Sequence, residues 1–216
     1  MKDYQLVLFD LDGTLTASHP GILRCVRDTL KKQGYPVPEM DVLRKFIGPP
    51  LKVSLEEFCG ITGEAADQFV TEYRLLYNAH GVYEASVFEG LFPVLQTLRK
   101  AGYQLAVATS KPQTPAELVT NHFKLTPCFD KVCGSSEDEK GSKLRVIQNA
   151  LSAFHAAPAR TLMIGDTHFD AEGAQLAGTD FLGVLYGYGT EEEMRRFGGR
   201  HFVKTPEEIQ HWLLQD

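Results

Sequence analysis

Two carboxylates one residue apart, Asp10 and Asp12, close the run Leu6-Val7-Leu8-Phe9-Asp10-Leu11-Asp12-Gly13-Thr14-Leu15. The four apolar residues ahead of them have the length and composition of a strand buried on both faces. Burying unpaired carboxylates costs several kcal/mol, so this pair needs a cation, a proton or water. A hard divalent ion such as Mg²⁺ would hold Asp10 and Asp12 close together against their repulsion. Gly13 permits a sharp turn, and the Thr14 hydroxyl and nearby amides suit an anion. Taken alone, the stretch also fits an Asp-Gly turn with solvated acids.

Polar groups follow two later apolar runs in the same manner. Thr109, Ser110 and Lys111 come after Tyr103–Ala108, and Asp166 and Asp170 come after Thr161–Ile164. In an open α/β sheet, sites lie outside the carboxyl ends of the strands, so residues distant in sequence would meet on one rim.

The elements that must position these residues are legible from hydrophobic spacing. Ile22, Leu23, Val26 and Leu30 recur at helical intervals in a helix that runs from Pro20 to near Gly34. A short helix through Phe46 takes Asp41 as its cap, and Gly48-Pro49-Pro50 breaks the pattern. Helices over about Leu51–Phe58 and Ala65–His80 complete an all-helical segment. Its eight Lys/Arg equal its eight Asp/Glu, so the net charge of -6 resides elsewhere. From Glu89-Gly90 onward helix and strand alternate, as in a parallel sheet. Helices are expected near Pro93–Lys100, Pro115–Phe123, Ser142–Phe154, around Ala174 and over Thr205–Leu214. Short strands are expected at Lys131–Cys133 and Phe181–Leu185.

The 216 residues, 43% hydrophobic, suffice for one substantial core with a small second domain. The acidic balance and pI near 5.7 offer no nucleic-acid surface. Met1-Lys2-Asp3-Tyr4 leads so quickly into the acidic strand end that no signal peptide is expected, and no run reaches membrane-spanning length. Cys25, Cys59, Cys128 and Cys133 match no zinc or redox spacing, which fits reduced thiols in a cytoplasmic protein.

Taken together, Asp10-Leu11-Asp12-Gly13-Thr14-Leu15, Val107-Ala108-Thr109-Ser110-Lys111-Pro112, Lys143 at a helix start and Gly165-Asp166-Thr167-His168-Phe169-Asp170 resemble the four motifs of the haloacid dehalogenase superfamily. Within it the chain is similar to phosphoglycolate phosphatase-like and 5'-nucleotidase-like hydrolases. The resemblance implies an α/β fold, a Rossmann-like open parallel sheet core over residues 1–14 and 84–216, with an α-helical cap inserted at 15–83. It implies Asp10 as nucleophile, forming an aspartyl-phosphate, and Asp12 as the acid and base that serves leaving group and water. Because halide needs no proton to leave, Asp12 argues against dehalogenation. Mg²⁺ would be held by the Asp10 carboxylate, the Asp12 carbonyl and Asp166, with Asp170 a supporting acid or a further ligand through water. Thr109 would donate to a phosphoryl oxygen and Lys143 would pair with both Asp10 and the phosphate, with Gly13, Thr14 and Ser110 lining the substrate site.

Lys140, one turn before Lys143, is the other candidate for the phosphate-binding lysine. The acidic run Glu137-Asp138-Glu139 is read as a solvated loop, and His168 is given no role. The cap would close over the site and select the substrate. Its Gly48-Pro49-Pro50-Leu51 loop, flanked by Lys45 and Lys52, resembles a substrate-facing loop, or is a helix breaker with solvated lysines. The expected partner is a small phosphorylated metabolite, with no nucleic-acid polymer and no membrane, and the protein would be a monomer or homodimer. Two other functions share parts of this pattern. A sugar phosphomutase would return the phosphoryl group to a sugar. A signalling receiver would keep it on aspartate, but its acceptor lies on a middle strand and it lacks the helical insert.

Overall fold

The computed structural model describes residues 3–136 and 142–215, which form two compact units. One comprises residues 1–17 and 87–216, the other 18–86. Each junction falls three residues later than the sequence expectation. Leu15 and Thr16 donate backbone hydrogen bonds to Leu11, and Thr16 bridges Val87, so the turn after the first strand belongs to the sheet unit.

The sheet unit is built on six strands in the order β3-β2-β1-β4-β5-β6, every pairing parallel. The strands are β1 (Leu6–Phe9), β2 (Gln104–Pro112), β3 (Lys131–Ser135), β4 (Thr161–Gly165), β5 (Asp180–Val184) and β6 (His201–Val203). All four β1 residues are fully buried, as a central strand requires, and each stabilises the fold by about 1.5–3 kcal/mol. Because β1 and β4 are neighbours at the point where the strand order reverses, the acids after β1 and those after β4 emerge side by side.

The other unit is helical: α1 (His19–Lys32), α2 (Met40–Leu43), α3 (Leu51–Cys59) and α4 (Gly63–Ala79). In α1 Ile22, Leu23, Val26 and Leu30 are buried at the predicted spacing. Asp41 is not a cap. Glu39 holds that position and Asp41 lies in the first turn, where its charge still favours the helix N-terminus. Helix α2 is a single turn that tightens into a 3-10 turn over Arg44–Phe46. Helix α3 ends at Gly60, whose positive φ closes the last turn.

The sheet unit's own helices are α5 (Leu91–Lys100), α6 (Gln113–His122), α7 (Lys143–Phe154), α8 (His168–Ala177), α9 (Glu191–Arg196) and α10 (Pro206–Leu214). Val146, Ile147 and Ala150 of α7, with Ala171 and Ala174 of α8, join Leu6, Leu8, Ala106, Ala108 and Met163 in one core. That packing fixes the starts of both helices at the strand ends.

Two elements lie outside the sequence expectation. Strand β6 has three residues at a sheet edge, too few to carry an alternation. Helix α9 buries only Met194, so it has no apolar stripe, although its Thr190/Glu193 capping box is written in the sequence. Strand β2 also runs on through Thr109-Ser110-Lys111-Pro112 with a register shift, Pro112 pairing with Ser135.

Candidate active site

Asp10 leaves β1 with its backbone N–H donating to Ile164 of β4 at 2.9 Å, so the polypeptide is still anchored in the sheet where the carboxylate begins. Lys143, the first residue of α7, reaches the same point. Its Nζ lies 2.6 Å from Asp10 Oδ1, 2.8 Å from Asp170 Oδ1 and 3.1 Å from the Ala108 carbonyl oxygen. The lysine stem runs over Gly173 of α8, where a Cβ would lie 2.6 Å from Lys143 Cγ. A larger residue there would push the ammonium off its partners.

Asp166 directly follows β4 and is fully buried. Thr14 Oγ1 donates to its Oδ1 at 3.1 Å and the Tyr188 backbone N–H to its Oδ2 at 2.8 Å. Gly13 adopts φ +90, and a Cβ on it would fall 2.2 Å from Asp166 Oδ2. Glycine is therefore needed here both for the left-handed turn and for the close approach. Asp170 sits in the first turn of α8. Its Oδ2 accepts from the Thr167 backbone N–H at 3.0 Å and hydroxyl at 2.8 Å, forming the capping box of that helix.

Asp10, Asp166 and Asp170 each offer a carboxylate oxygen, and these atoms lie within 4.8 Å of one another. The Asp10 carboxyl is pushed up to about 6, chiefly by burial, against the pull of the Lys143 ammonium and with a further push from the Asp170 charge. Asp166 is raised well above the usual carboxylate range, first by burial and then by the charges of Asp170 and Asp10. Burial alone would depress the Lys143 ammonium, but Asp10 and Asp170 outweigh it and raise its proton affinity. The cluster is short of positive charge, and its donors are all oxygen. That set fits a hard divalent cation of the Mg²⁺ type.

Asp12 stands apart from this trio. Its Oδ2 is 2.8 Å from Lys111 Nζ. Thr109 is buried at the end of the straight part of β2, and its hydroxyl accepts from the Lys111 N–H at 3.2 Å.

Several sequence candidates make contacts of their own. The Thr14 hydroxyl has one proton, and Asp166 takes it, so Thr14 orients an acid instead of donating to an anion. The Gly13 N–H is likewise used, by the Thr16 carbonyl. The Ser110 carbonyl accepts from Ser135 Oγ at 2.8 Å, which makes this residue part of the β2–β3 framework. Lys45 and Lys52 belong to the helical unit. There Lys45 lies 5.6 Å from the Phe58 ring centroid, and Lys52 pairs with Asp67. His168 packs between Phe169 and Phe197. Lys140 and Glu137-Asp138-Glu139 lie outside the described residues.

Sequence reasoning passed over Tyr186-Gly187-Tyr188-Gly189, which wraps Asp166. A Cβ on Gly187 would lie 2.3 Å from Asp166 Cβ, and one on Gly189 2.2 Å from the Asp166 carbonyl oxygen. Tyr186 Oη donates to the Thr14 carbonyl at 3.0 Å. The available signal was two glycines alternating with tyrosines directly after a strand.

Acids and a lysine gathered at the carboxyl ends of parallel strands, beside the reversal of strand order, define an α/β enzyme site. Residues 7–184 match the haloacid dehalogenase-like hydrolases, and the chain belongs to that family. It is 42% identical over 186 residues to the tyrosine-protein kinase PtkA of Mycobacterium tuberculosis, covering 86% of this chain and 63% of that protein. The chain thus spans less than two thirds of that relative's length. It is 37% identical over 200 residues to a 5'-nucleotidase of Pseudomonas aeruginosa, covering 92% of this chain and 90% of the relative. A crystal structure of a predicted phosphatase from Clostridium acetobutylicum superposes with a TM-score of 0.93 at 37% identity, over 99% of both chains. Among the described residues no helix is long and apolar enough to cross a membrane.

Proposed function

We propose that the protein is a Mg²⁺-dependent phosphatase that hydrolyses small phosphomonoesters, phosphoglycolate-like or a nucleoside monophosphate, through an aspartyl-phosphate. The observation that carries this reading is the buried Asp10 carboxylate held 2.6 Å from the Lys143 ammonium, beside Asp166 and Asp170. In that setting an Asp10 oxygen forms a bond to phosphorus as the bond from phosphorus to the alkoxide breaks. Asp12 gives the departing alkoxide its proton and then takes one from the water that attacks phosphorus. Inorganic phosphate leaves and Asp10 is regenerated. Lys143 and Thr109 hold phosphoryl oxygens. Asp170, engaged by Thr167 and Lys143, serves as a supporting acid that orients the lysine. Asp10, Asp166 and the Asp12 carbonyl would hold a divalent cation, which would supply positive charge to offset that of the carboxylates and the phosphate.

The test is phosphate release from phosphoglycolate, nucleoside monophosphates and sugar phosphates, with Mg²⁺ or EDTA, for the wild type and Asp10→Asn. Metal-dependent turnover that vanishes in the mutant supports the reading, and the best substrate names the specificity. A stoichiometric burst without turnover, or an isomerised sugar phosphate, would instead indicate a mutase. The 42% identity to a tyrosine-protein kinase favours a second reading, in which a tyrosine hydroxyl replaces water as acceptor. Label from the terminal phosphate of ATP would then appear on protein tyrosine and not as free phosphate.

A further inference from the structure

We infer that Lys111 is the positioning residue for Asp12, fixing which carboxylate oxygen exchanges the proton with the leaving group. The inference rests on the phosphatase reading above and deepens it. Lys111 Nζ lies 2.8 Å from Asp12 Oδ2, and the two side chains are only 7% and 16% exposed. The other oxygen, Asp12 Oδ1, is buried with no hydrogen-bond partner among the described residues. An ammonium only donates, so Lys111 Nζ occupies Oδ2 and leaves Oδ1 as the oxygen that is not pinned. One oxygen is held and the other is left without a partner among the described residues.

The lysine is itself rigidly placed. Its N–H donates to Thr109 Oγ1, and Pro112 restricts its backbone to the extended region. Ser135 Oγ donates to the neighbouring Ser110 carbonyl at 2.8 Å. The Gln113 side chain clamps β3 by donating to the Val132 carbonyl at 3.0 Å and accepting from the Gly134 N–H at 2.6 Å. Gly134 has no room for a side chain, since a Cβ would lie 2.6 Å from Gln113 Cα and 2.9 Å from the Lys111 carbonyl oxygen. An exposed ion pair would tolerate the loss of one partner at little cost, whereas this enclosed one holds a geometry.

The experiment compares wild type, Lys111→Met, Lys111→Arg, Asp12→Asn and the Lys111→Met/Asp12→Asn double variant. Substrates are an alkyl phosphate, whose alkoxide needs a proton, and p-nitrophenyl phosphate, whose phenolate does not. A misplaced acid costs on the order of 10- to 100-fold in rate. Lys111→Met is therefore expected to lose that much of the single-turnover rate of phosphoryl transfer to Asp10 on the alkyl ester and clearly less on the nitrophenyl ester, the later attack of water being common to both. Lys111→Arg should recover part of the loss, and the double variant should be no worse than Asp12→Asn. Equal losses on both esters, a change confined to KM, or additive losses in the double variant would overturn the assignment. Thermal unfolding of the same set reads the pair without activity: non-additive Tm shifts are expected, and additive shifts count against the pair. Absence of metal-dependent phosphate release by the wild type would instead refute the phosphatase reading.

Discussion

Lys143 Nζ bridges Asp10 and Asp170 at 2.6 and 2.8 Å, joining the ends of β1, α7 and α8 in one buried ion cluster. With two carboxylates for one ammonium, the cluster is anionic even before the Asp166 carboxylate is counted. Its energetics make the site testable without knowing the substrate.

Replacing Lys143 with Met strands Asp10 and Asp170 without their buried counter-charge. Stability is expected to fall by about 3–5 kcal/mol in denaturant unfolding. Lys143 pulls the Asp10 carboxyl down, so its loss raises that carboxyl further. In whatever activity survives, the acidic limb of the pH–rate profile should move to higher pH.

Asp10 is raised from 3.8 to about 6 and Asp166 is raised as well, so the folded protein holds protons that the unfolded chain releases. The stability from these groups is fully present below their unfolded values near 3.8 and is lost as pH rises through the folded ones. Without divalent ions, Tm should therefore drop between pH 5 and pH 7.5. Mg²⁺ competes with those protons, so it should raise Tm more at pH 7.5 than at pH 5. Differential scanning fluorimetry with MgCl₂ or EDTA checks both, and an equal shift at the two pH values would contradict them.

Asp166→Asn removes one charge from this repelling set; its one amide oxygen can still accept from the Tyr188 N–H, and the Thr14 hydroxyl can turn to accept from the new NH2. The apo variant is expected to be at least as stable as the wild type at pH 7.5. Its Mg²⁺-dependent Tm shift and its metal-dependent turnover should both disappear.

Gly187→Ala tests the loop that wraps Asp166. Its Cβ would meet Asp166 Cβ at 2.3 Å, so either the loop or the acid must move. A loss of about 1–3 kcal/mol in stability is expected, with weaker Mg²⁺ binding by titration calorimetry. Unchanged Mg²⁺ affinity would show that the Asp166 position does not depend on this contact.

The sheet and its order of elements were legible because buried parallel strands appear as short apolar runs ending in polar groups. The inserted helices were legible because α1 buries one stripe at regular spacing. Strand β6 and helix α9 were not, since three edge residues and a helix with one buried side chain carry no period. Thr14 shows the limit at the site. Its identity announces a hydroxyl, yet only the approach of β4 to β1 delivers Asp166 to take the proton.

The sequence by itself determined the chemistry that is available: acids placed after buried strands, a lysine at a helix start, and glycine where the chain must turn or be approached closely. These follow from local spacing and from the cost of burying charge. The tertiary structure alone decided the further partnerships, that Lys143, expected beside Asp10, also takes Asp170, that Lys111 holds Asp12, and that a tyrosine-glycine loop encloses Asp166. Each brings together residues from different strand ends, and their distances depend on strand order and helix packing, which no local pattern encodes.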